Sequence, residues 1–237
     1  MSATMANRVG RTVSAVVALA AVVGVSGCGV QFARLGPSST AAAPVGPSGA
    51  GLSQLPVLPE DTAAPYRRAD WGDWIYDPQS KCNTRELVLR RDGAGVSVDG
   101  QCRSTCPEAA APCWTSSYDG AAVRAASQLE IDHVVALAEA SRSGAAAWPP
   151  QRRAAFYNDL DNLVAVSSRS NESKSDRDPG SWRPTDQKSW CRLASTVVLV
   201  KTRYGLSVDA SERDGLAAML ATCPPAAQPP PPPAAGG

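Results

Sequence analysis

The sequence predicts an α+β domain that is held together by disulfide bonds. Two short apolar segments, 129–135 and 163–166, have the length and the β-branched residues of strands. Two longer segments, 187–204 and 210–223, repeat apolar residues with the spacing of a helix. Six of the seven cysteines fall within 82–223, and an even number of cysteines favours pairing.

The N-terminal segment has the pattern of an export signal. Arg8 and Arg11 precede an uncharged apolar run, 13–25, which is too short to span a bilayer as a helix. The run ends in Val-Ser-Gly before Cys28, and this end resembles the bacterial lipobox, whose cysteine is lipidated. We therefore expect a lipoprotein signal peptide, 1–27, and a lipid anchor on the outer face of the plasma membrane. Ordinary secretion after cleavage is the alternative.

Composition divides the rest of the chain into three parts. Residues 28–65 are rich in Ala, Gly, Pro and Ser and have no apolar period, which is typical of a flexible tether. Residues 224–237 are rich in proline and are predicted to be a disordered tail. The folded domain is therefore expected to span 66–223. No feature of the sequence indicates an obligate protein partner.

The charge of the chain excludes a polybasic nucleic-acid coat. The chain has 23 Lys and Arg against 22 Asp and Glu, a net charge of +1. A local excess lies in 142–203, which has 11 Lys and Arg and 6 Asp and Glu. Such a region agrees with a nucleic-acid substrate, but the same charges would also keep surface helices soluble.

The expected helices narrow the pairings that six cysteines allow. The two C-terminal helices would form an antiparallel hairpin, which brings Cys191 beside Cys223. Of the other four cysteines, Cys106 and Cys113 can close a short loop. A zinc site is disfavoured, because the sequence contains no Cys-x-x-Cys pair. The expected disulfides are Cys82–Cys102, Cys106–Cys113 and Cys191–Cys223.

His133 is the single histidine of the chain, so any chemistry that needs an imidazole depends on it. It follows Asp132 at the end of the first predicted strand. Asn162 directly precedes the second predicted strand. Asn171 lies in a serine-rich stretch, 167–176, which offers several caps for the start of a helix.

The order of these motifs resembles the HNH endonucleases with the ββα-metal fold. EIDHVV, DNLVAV and SNESKSD carry the resemblance, over about 130–178. With CNTRELVLRRD at 82–92 and the C-terminal helical pair, the domain resembles the secreted bacterial HNH proteins of the DUF1524 type. The resemblance implies an α+β fold with a ββα-metal core, flanking helices and a C-terminal helical hairpin.

The resemblance also implies a metal-dependent endonuclease that hydrolyses phosphodiester bonds of DNA with little sequence specificity. It gives His133 the role of general base, and it gives Asn162 the role of bracing the loop that orients His133. Asp132 and Asn171 would be the metal ligands. Their oxygen atoms favour Mg²⁺ or Mn²⁺ over softer metals.

Lys174 and Arg85 are candidate contacts to phosphate or substrate, each with a structural alternative. Lys174 could instead lie on a solvated helix face, and Arg85 could form a structural salt bridge. Glu130 could support the metal through a water molecule or simply face solvent. The six tryptophans are expected to be mostly core residues.

Two other classes of function compete with the nuclease. The first is an inactive envelope lipoprotein that binds or supports other components on the same scaffold. The complete set of Asp132, His133, Asn162 and Asn171 argues against a decayed site. The second is a serine hydrolase, which is disfavoured because the sequence has no Gly-x-Ser-x-Gly motif.

Overall fold

The computed structural model describes residues 49–109 and 111–224. The predicted signal peptide, the predicted lipidation site Cys28 and almost all of the proline-rich tail lie outside the described residues. Within the described ranges, no helix is both long enough and apolar enough to cross a membrane.

The described chain contains seven α-helices and eight short strands. The α-helices are α1 Gly49–Leu52, α2 Thr84–Asp92, α3 Leu137–Ala140, α4 Pro150–Tyr157, α5 Ser168–Lys174, α6 Trp190–Tyr204 and α7 Ala210–Leu220. The strands are β1 Tyr76–Asp77, β2 Cys82–Asn83, β3 Ser97–Val98, β4 Ser104–Thr105, β5 Trp114–Thr115, β6 Ala122–Val123, β7 Leu129–His133 and β8 Leu163–Ser167. Each strand pairs with one neighbour as an antiparallel two-stranded ribbon. The prediction of an α+β fold is therefore confirmed.

The longest ribbon, β7 with β8, lies at the centre of the domain. Leu129 pairs with Ser167 at one end and His133 pairs with Leu163 at the other. Ser167 then caps α5, because its Oγ accepts a hydrogen bond from the backbone N–H of Ser170. The ribbon and α5 therefore meet without a connecting loop, as the serine-rich stretch predicts.

The segment 49–65, which we name the N-terminal strap, packs against the domain and does not form part of a tether. Leu52 and Leu55 are buried in the main core. Val57 forms a parallel bridge with Val208, and the N–H of Leu58 donates to the carbonyl of Val208 at 2.9 Å. The fold thus begins well before residue 66, and burial of the two leucines contributes to holding the strap, together with its backbone bonds to Val208.

The C-terminal hairpin consists of α6 and α7. Gly205 ends α6 with a left-handed φ of 62°, a conformation that glycine adopts without steric cost. Asp209 begins α7 by accepting a hydrogen bond from the N–H of Glu212. Cys191 at the start of α6 is bonded to Cys223 just after α7, with a Cα–Cα distance of 4.9 Å.

Two further disulfides hold the segment before β7. Cys82 is bonded to Cys102 and Cys106 to Cys113, with Cα–Cα distances of 5.1 and 5.6 Å. The three pairs are those expected from the sequence. Their presence fits a protein that folds in an oxidising compartment.

We predict that Gly215→Ala destabilises the domain. A Cβ at Gly215 would overlap the carbonyl group of Pro179, which lies against α7. Overpacking of this kind costs about 1–3 kcal/mol, which exceeds the gain of about 1 kcal/mol that alanine brings to a helix. Urea unfolding measures the loss. Gly100→Ala is the control, because a Cβ there would meet nothing within 4 Å. Equal stability of the two variants would contradict the close contact between Gly215 and Pro179.

Candidate active site

A cleft of about 690 Å³ opens along β7. It brings together three of the four residues that the motifs predict, Asp132, His133 and Asn171. A second cleft, of about 580 Å³, contains none of the predicted catalytic, metal or phosphate residues. The other polar and aromatic residues that line the first cleft include Tyr66, Arg68, Trp74, Arg85 and Glu130.

The ring of His133 is fixed by contacts on two sides. Its Nε2 lies 2.9 Å from the carbonyl oxygen of Tyr157. A carbonyl can only accept a hydrogen bond, so Nε2 carries the proton and Nδ1 keeps its lone pair. The ring also stacks on Trp74, with centroids 5.9 Å apart and planes inclined by 9°.

His133 is neutral in this environment. Burial lowers its pKa to about 3, and the nearby charges of Arg68 and Lys174 act in the same direction. At physiological pH the imidazole is therefore unprotonated at Nδ1 and keeps a lone pair there. The side chain therefore has the protonation state that a general base requires.

Asp132 directs one carboxylate oxygen into a buried network. Its Oδ2 accepts a hydrogen bond from the hydroxyl of Tyr118 at 2.6 Å and pairs with Nζ of Lys174 at 2.9 Å. Burial, together with the charge of Asp132, raises the pKa of Tyr118 well above its usual value. Among the described residues, Oδ1 of Asp132 has no hydrogen bond, so it is the oxygen that a ligand in the cleft could use.

Lys174 lies neither on a solvated helix face nor in the wall of the cleft, the two positions expected from the sequence. Its side chain is only 3% exposed, and it does not line the cleft. Nζ donates to the carbonyl of His133 at 2.9 Å in addition to its ion pair with Asp132. A cation buried against the end of β7 needs these partners, so Lys174 joins α5 to the strand that carries the site.

Asn162 braces the chain immediately after His133. It is fully buried, its Oδ1 accepts from the N–H of Val135 at 2.8 Å and its Nδ2 donates to the carbonyl of Val135. The backbone carbonyl of Asn162 also accepts from the N–H of Val134. These bonds hold the turn after His133, between the end of β7 and the start of α3.

Asn171 projects from α5 beside β7. Its Nδ2 donates to a carboxylate oxygen of Glu130, which leaves its Oδ1 without a hydrogen bond among the described residues. Oδ1 of Asp132 and Oδ1 of Asn171 are thus two oxygen donors on one cleft. Hard cations such as Mg²⁺ and Mn²⁺ prefer oxygen donors and keep several waters, so the donor set fits such an ion.

Arg85 is the first of two arginines that bring positive charge to the cleft. Arg85 is 30% exposed, donates to the carbonyls of Ala126 and Leu129, and pairs with Glu86. These contacts fix the guanidinium of Arg85, which also lines the cleft. The ion pair agrees with a structural role, and the position in the cleft agrees with contact to phosphate.

The second arginine, Arg68, and two aromatic residues beside it are not marked by any motif in the sequence. Arg68 is exposed and donates to the hydroxyl of Tyr157 at 3.1 Å. Trp74 and Tyr66 also line the cleft. All three lie far before the motifs along the chain, and only the fold brings them to the site.

The β7–β8 ribbon, helix α5 and the residues of the cleft that the motifs predict lie in a part of the chain that matches a known family. Residues 107–219 match the family described as GmrSD restriction endonucleases, C-terminal domain. That range contains Asp132, His133, Asn162 and Asn171, while the strap lies before it.

The chain is also 45% identical over 174 residues to an uncharacterized secreted protein of Arthroderma benhamiae. The alignment covers 73% of this chain and 82% of the relative. The chain belongs to one family with this secreted protein. No solved structure matches the chain.

Proposed function

We propose that the protein is a divalent-metal-dependent endonuclease that hydrolyses phosphodiester bonds of DNA. The observation that carries the proposal is a neutral His133, with Nε2 fixed by a carbonyl, in the same cleft as Asp132 and Asn171. The order β7, β8, α5 supports a ββα-metal core of the HNH kind. The match to the GmrSD restriction endonuclease domain supports DNA as the substrate.

His133 would act as the general base on a water molecule. The Tyr157 carbonyl and the Trp74 ring orient the imidazole, so Nδ1 can take the proton as the water attacks phosphorus. Asn162 keeps the turn after His133 in place. These contacts hold the imidazole in the orientation that the proposed proton transfer requires.

Asp132 and Asn171 would hold the divalent ion through their Oδ1 atoms. When bound, such an ion supplies positive charge to the scissile phosphate and to the leaving oxygen. Lys174 and Tyr118 fix the other oxygen of Asp132, and Glu130 fixes the amide nitrogen of Asn171.

Arg68 and Arg85 would contact phosphates of the substrate. Both line the cleft and retain exposed surface. Contacts to phosphate position nucleic acid without reading its sequence. The proposed enzyme therefore cuts with little sequence preference.

Cleavage of plasmid DNA by the purified protein tests the function. We expect nicked and linear products with Mg²⁺ or Mn²⁺ and none with EDTA. An inactive envelope lipoprotein on the same scaffold, the competing function, would leave the plasmid intact in every metal. Single-stranded DNA and RNA as further substrates define which nucleic acid is preferred.

The proposed enzyme works outside the cell, anchored through Cys28 on the outer face of the membrane or released by secretion. The disulfides and the secreted relative support export. We predict that Cys28→Ala leaves the protein in the soluble fraction or unprocessed, because the thiol is the site of acylation. Cell fractionation with immunoblotting measures this. Unchanged membrane association of a variant that has been processed to the mature size would exclude Cys28 as the anchor.

A further inference from the structure

An acidic cluster outside the cleft lies where three distant segments meet. Glu60 comes from the strap, Asp178 from the turn after α5, and Asp209 from the start of α7. One carboxylate oxygen of each lies within 4.8 Å of the others. Oxygen ligands bind Ca²⁺ at about 2.4 Å, so two ligands of one ion lie at most about 4.8 Å apart. The spacing therefore fits a shared cation.

Unpartnered buried oxygens adjoin this cluster. The side chains of Glu139 and Glu212 are each only 2% exposed, yet Oε2 of Glu139 and Oε1 of Glu212 have no hydrogen-bond partner among residues 49–109 and 111–224. Oε1 of Glu60 is also buried without a partner. A buried carboxylate oxygen without a partner is costly, and three of them occur here together.

These acidic groups belong to one electrostatic neighbourhood. Asp178 and Glu139 both repel the charge of Glu60, and the same two residues repel the charge of Glu212. Asp209 is joined to Glu212 directly, since its Oδ1 accepts from the N–H of Glu212 at 2.8 Å. Asp178 and Glu139 therefore lie close enough to both Glu60 and Glu212 for their charges to interact, which places the two buried glutamates beside the cluster.

The cations present do not balance these carboxylates. Lys201 pairs with Glu139 and Glu212. Arg142 pairs with Glu60 at 2.8 Å but shares its charge with Asp176, which lines the cleft. Among the described residues, Glu60, Asp178 and Asp209 have one ion-pair partner, Arg142, so the three carboxylates keep an excess of negative charge that one divalent ion would offset.

We propose that Glu60, Asp178 and Asp209 form a Ca²⁺ site that fastens the strap to the C-terminal hairpin. Oδ1 of Asp178 is already used by the N–H groups of Gly180 and Ser181, and Oδ1 of Asp209 caps α7. The second oxygen of each carboxylate is left for the ion.

Calcium is the ion that suits this arrangement. All three ligands are oxygens from carboxylates on separate segments, and Ca²⁺ accepts six to eight oxygens in flexible geometry. Extracellular modules bind Ca²⁺ with dissociation constants of about 10⁻⁴–10⁻³ M, which matches an exported domain. The site is separate from the cleft and does not depend on the proposed nuclease activity.

Titration of the EDTA-treated full chain with CaCl₂, by calorimetry and by thermal unfolding, tests the site. We expect saturable binding and a rise in Tm of about 5 °C or more near 10 mM Ca²⁺. Asp209→Asn keeps an oxygen that can cap α7 but removes one charge, so it should weaken Ca²⁺ binding about tenfold. Asp214→Asn on the exposed face of α7 is the matched control and should bind as wild type.

Each contrary result would overturn the proposal. Absence of binding and of a Tm shift at about 10 mM Ca²⁺ would show that protons neutralise the buried acids instead. Wild-type affinity in a folded Asp209→Asn variant would exclude Asp209 as a ligand. Loss of the Tm shift in Asn171→Ala would place the ion in the cleft. Because none of these measurements uses DNA cleavage, failure of the proposed nuclease function would not affect them.

Discussion

His133→Ala is expected to lower the rate of plasmid cleavage by about 10²–10⁴-fold, the usual contribution of a general base. The variant removes Nδ1, which is the proposed proton acceptor, and leaves the oxygens of Asp132 and Asn171 in place. Metal binding should therefore stay close to wild type. Plasmid cleavage at neutral pH, alongside calorimetric titration with Mn²⁺, measures both effects.

Variants of the other site residues separate their roles. Asn162→Ala should lower cleavage less than His133→Ala, because Asn162 orients the base and does not react. Asn171→Ala should weaken metal binding, since it removes an oxygen ligand. A change at Asp132 should also weaken metal binding, and Asp132→Asn is the better variant, because alanine would remove the buried side chain that Lys174 contacts. Cleavage by His133→Ala at the wild-type rate would exclude the mechanism.

Lys201→Met is expected to lower the free energy of unfolding by about 3–5 kcal/mol, the cost of breaking a buried ion pair by removing one partner. Nζ of Lys201 lies 2.6 Å from Oε1 of Glu139 and also contacts Glu212 and the carbonyl of Ser207. Burial alone would lower the pKa of Lys201, but the two carboxylates raise it. Methionine keeps the length of the side chain and removes the charge.

Urea unfolding of matched variants measures this loss. Lys188→Met is the control, because Lys188 is exposed and its charge can be removed without burying an unpaired acid. The double variant Lys201→Met with Glu212→Gln should recover part of the stability, since one of the two unpaired carboxylates is then neutral. A Lys201→Met variant as stable as the control would show that Lys201 does not hold the buried acids.

The sequence predicts the elements whose signals are local. The strands around His133 and Asn162, the cap at Ser167 and the stop at Gly205 each depend on a few adjacent residues. The disulfide between α6 and α7 follows from the geometry of a helical hairpin. The short motifs around Asp132 and Asn171 also mark the two residues whose side-chain oxygens lie at the cleft.

The remaining features depend on contacts between distant segments. The carbonyl that fixes His133 belongs to Tyr157, and backbone carbonyls leave no pattern in the side-chain sequence. In the sequence Lys174 resembles a surface residue, but in the fold α5 packs on β7 and Lys174 is buried against Asp132. The strap has a composition typical of linkers, and its contacts are with distant residues: Leu52 and Leu55 pack in the main core, and Leu58 bonds to Val208.

The strap also determines how far the domain can stand from a membrane. If Cys28 carries the anchor, only the twenty residues 29–48 separate it from the strap. Fully extended, they reach at most about 70 Å, whereas residues 29–65 would have reached about 130 Å. An enzyme with this shorter reach would work within the layer next to the membrane, on nucleic acid that has already come close to the cell surface.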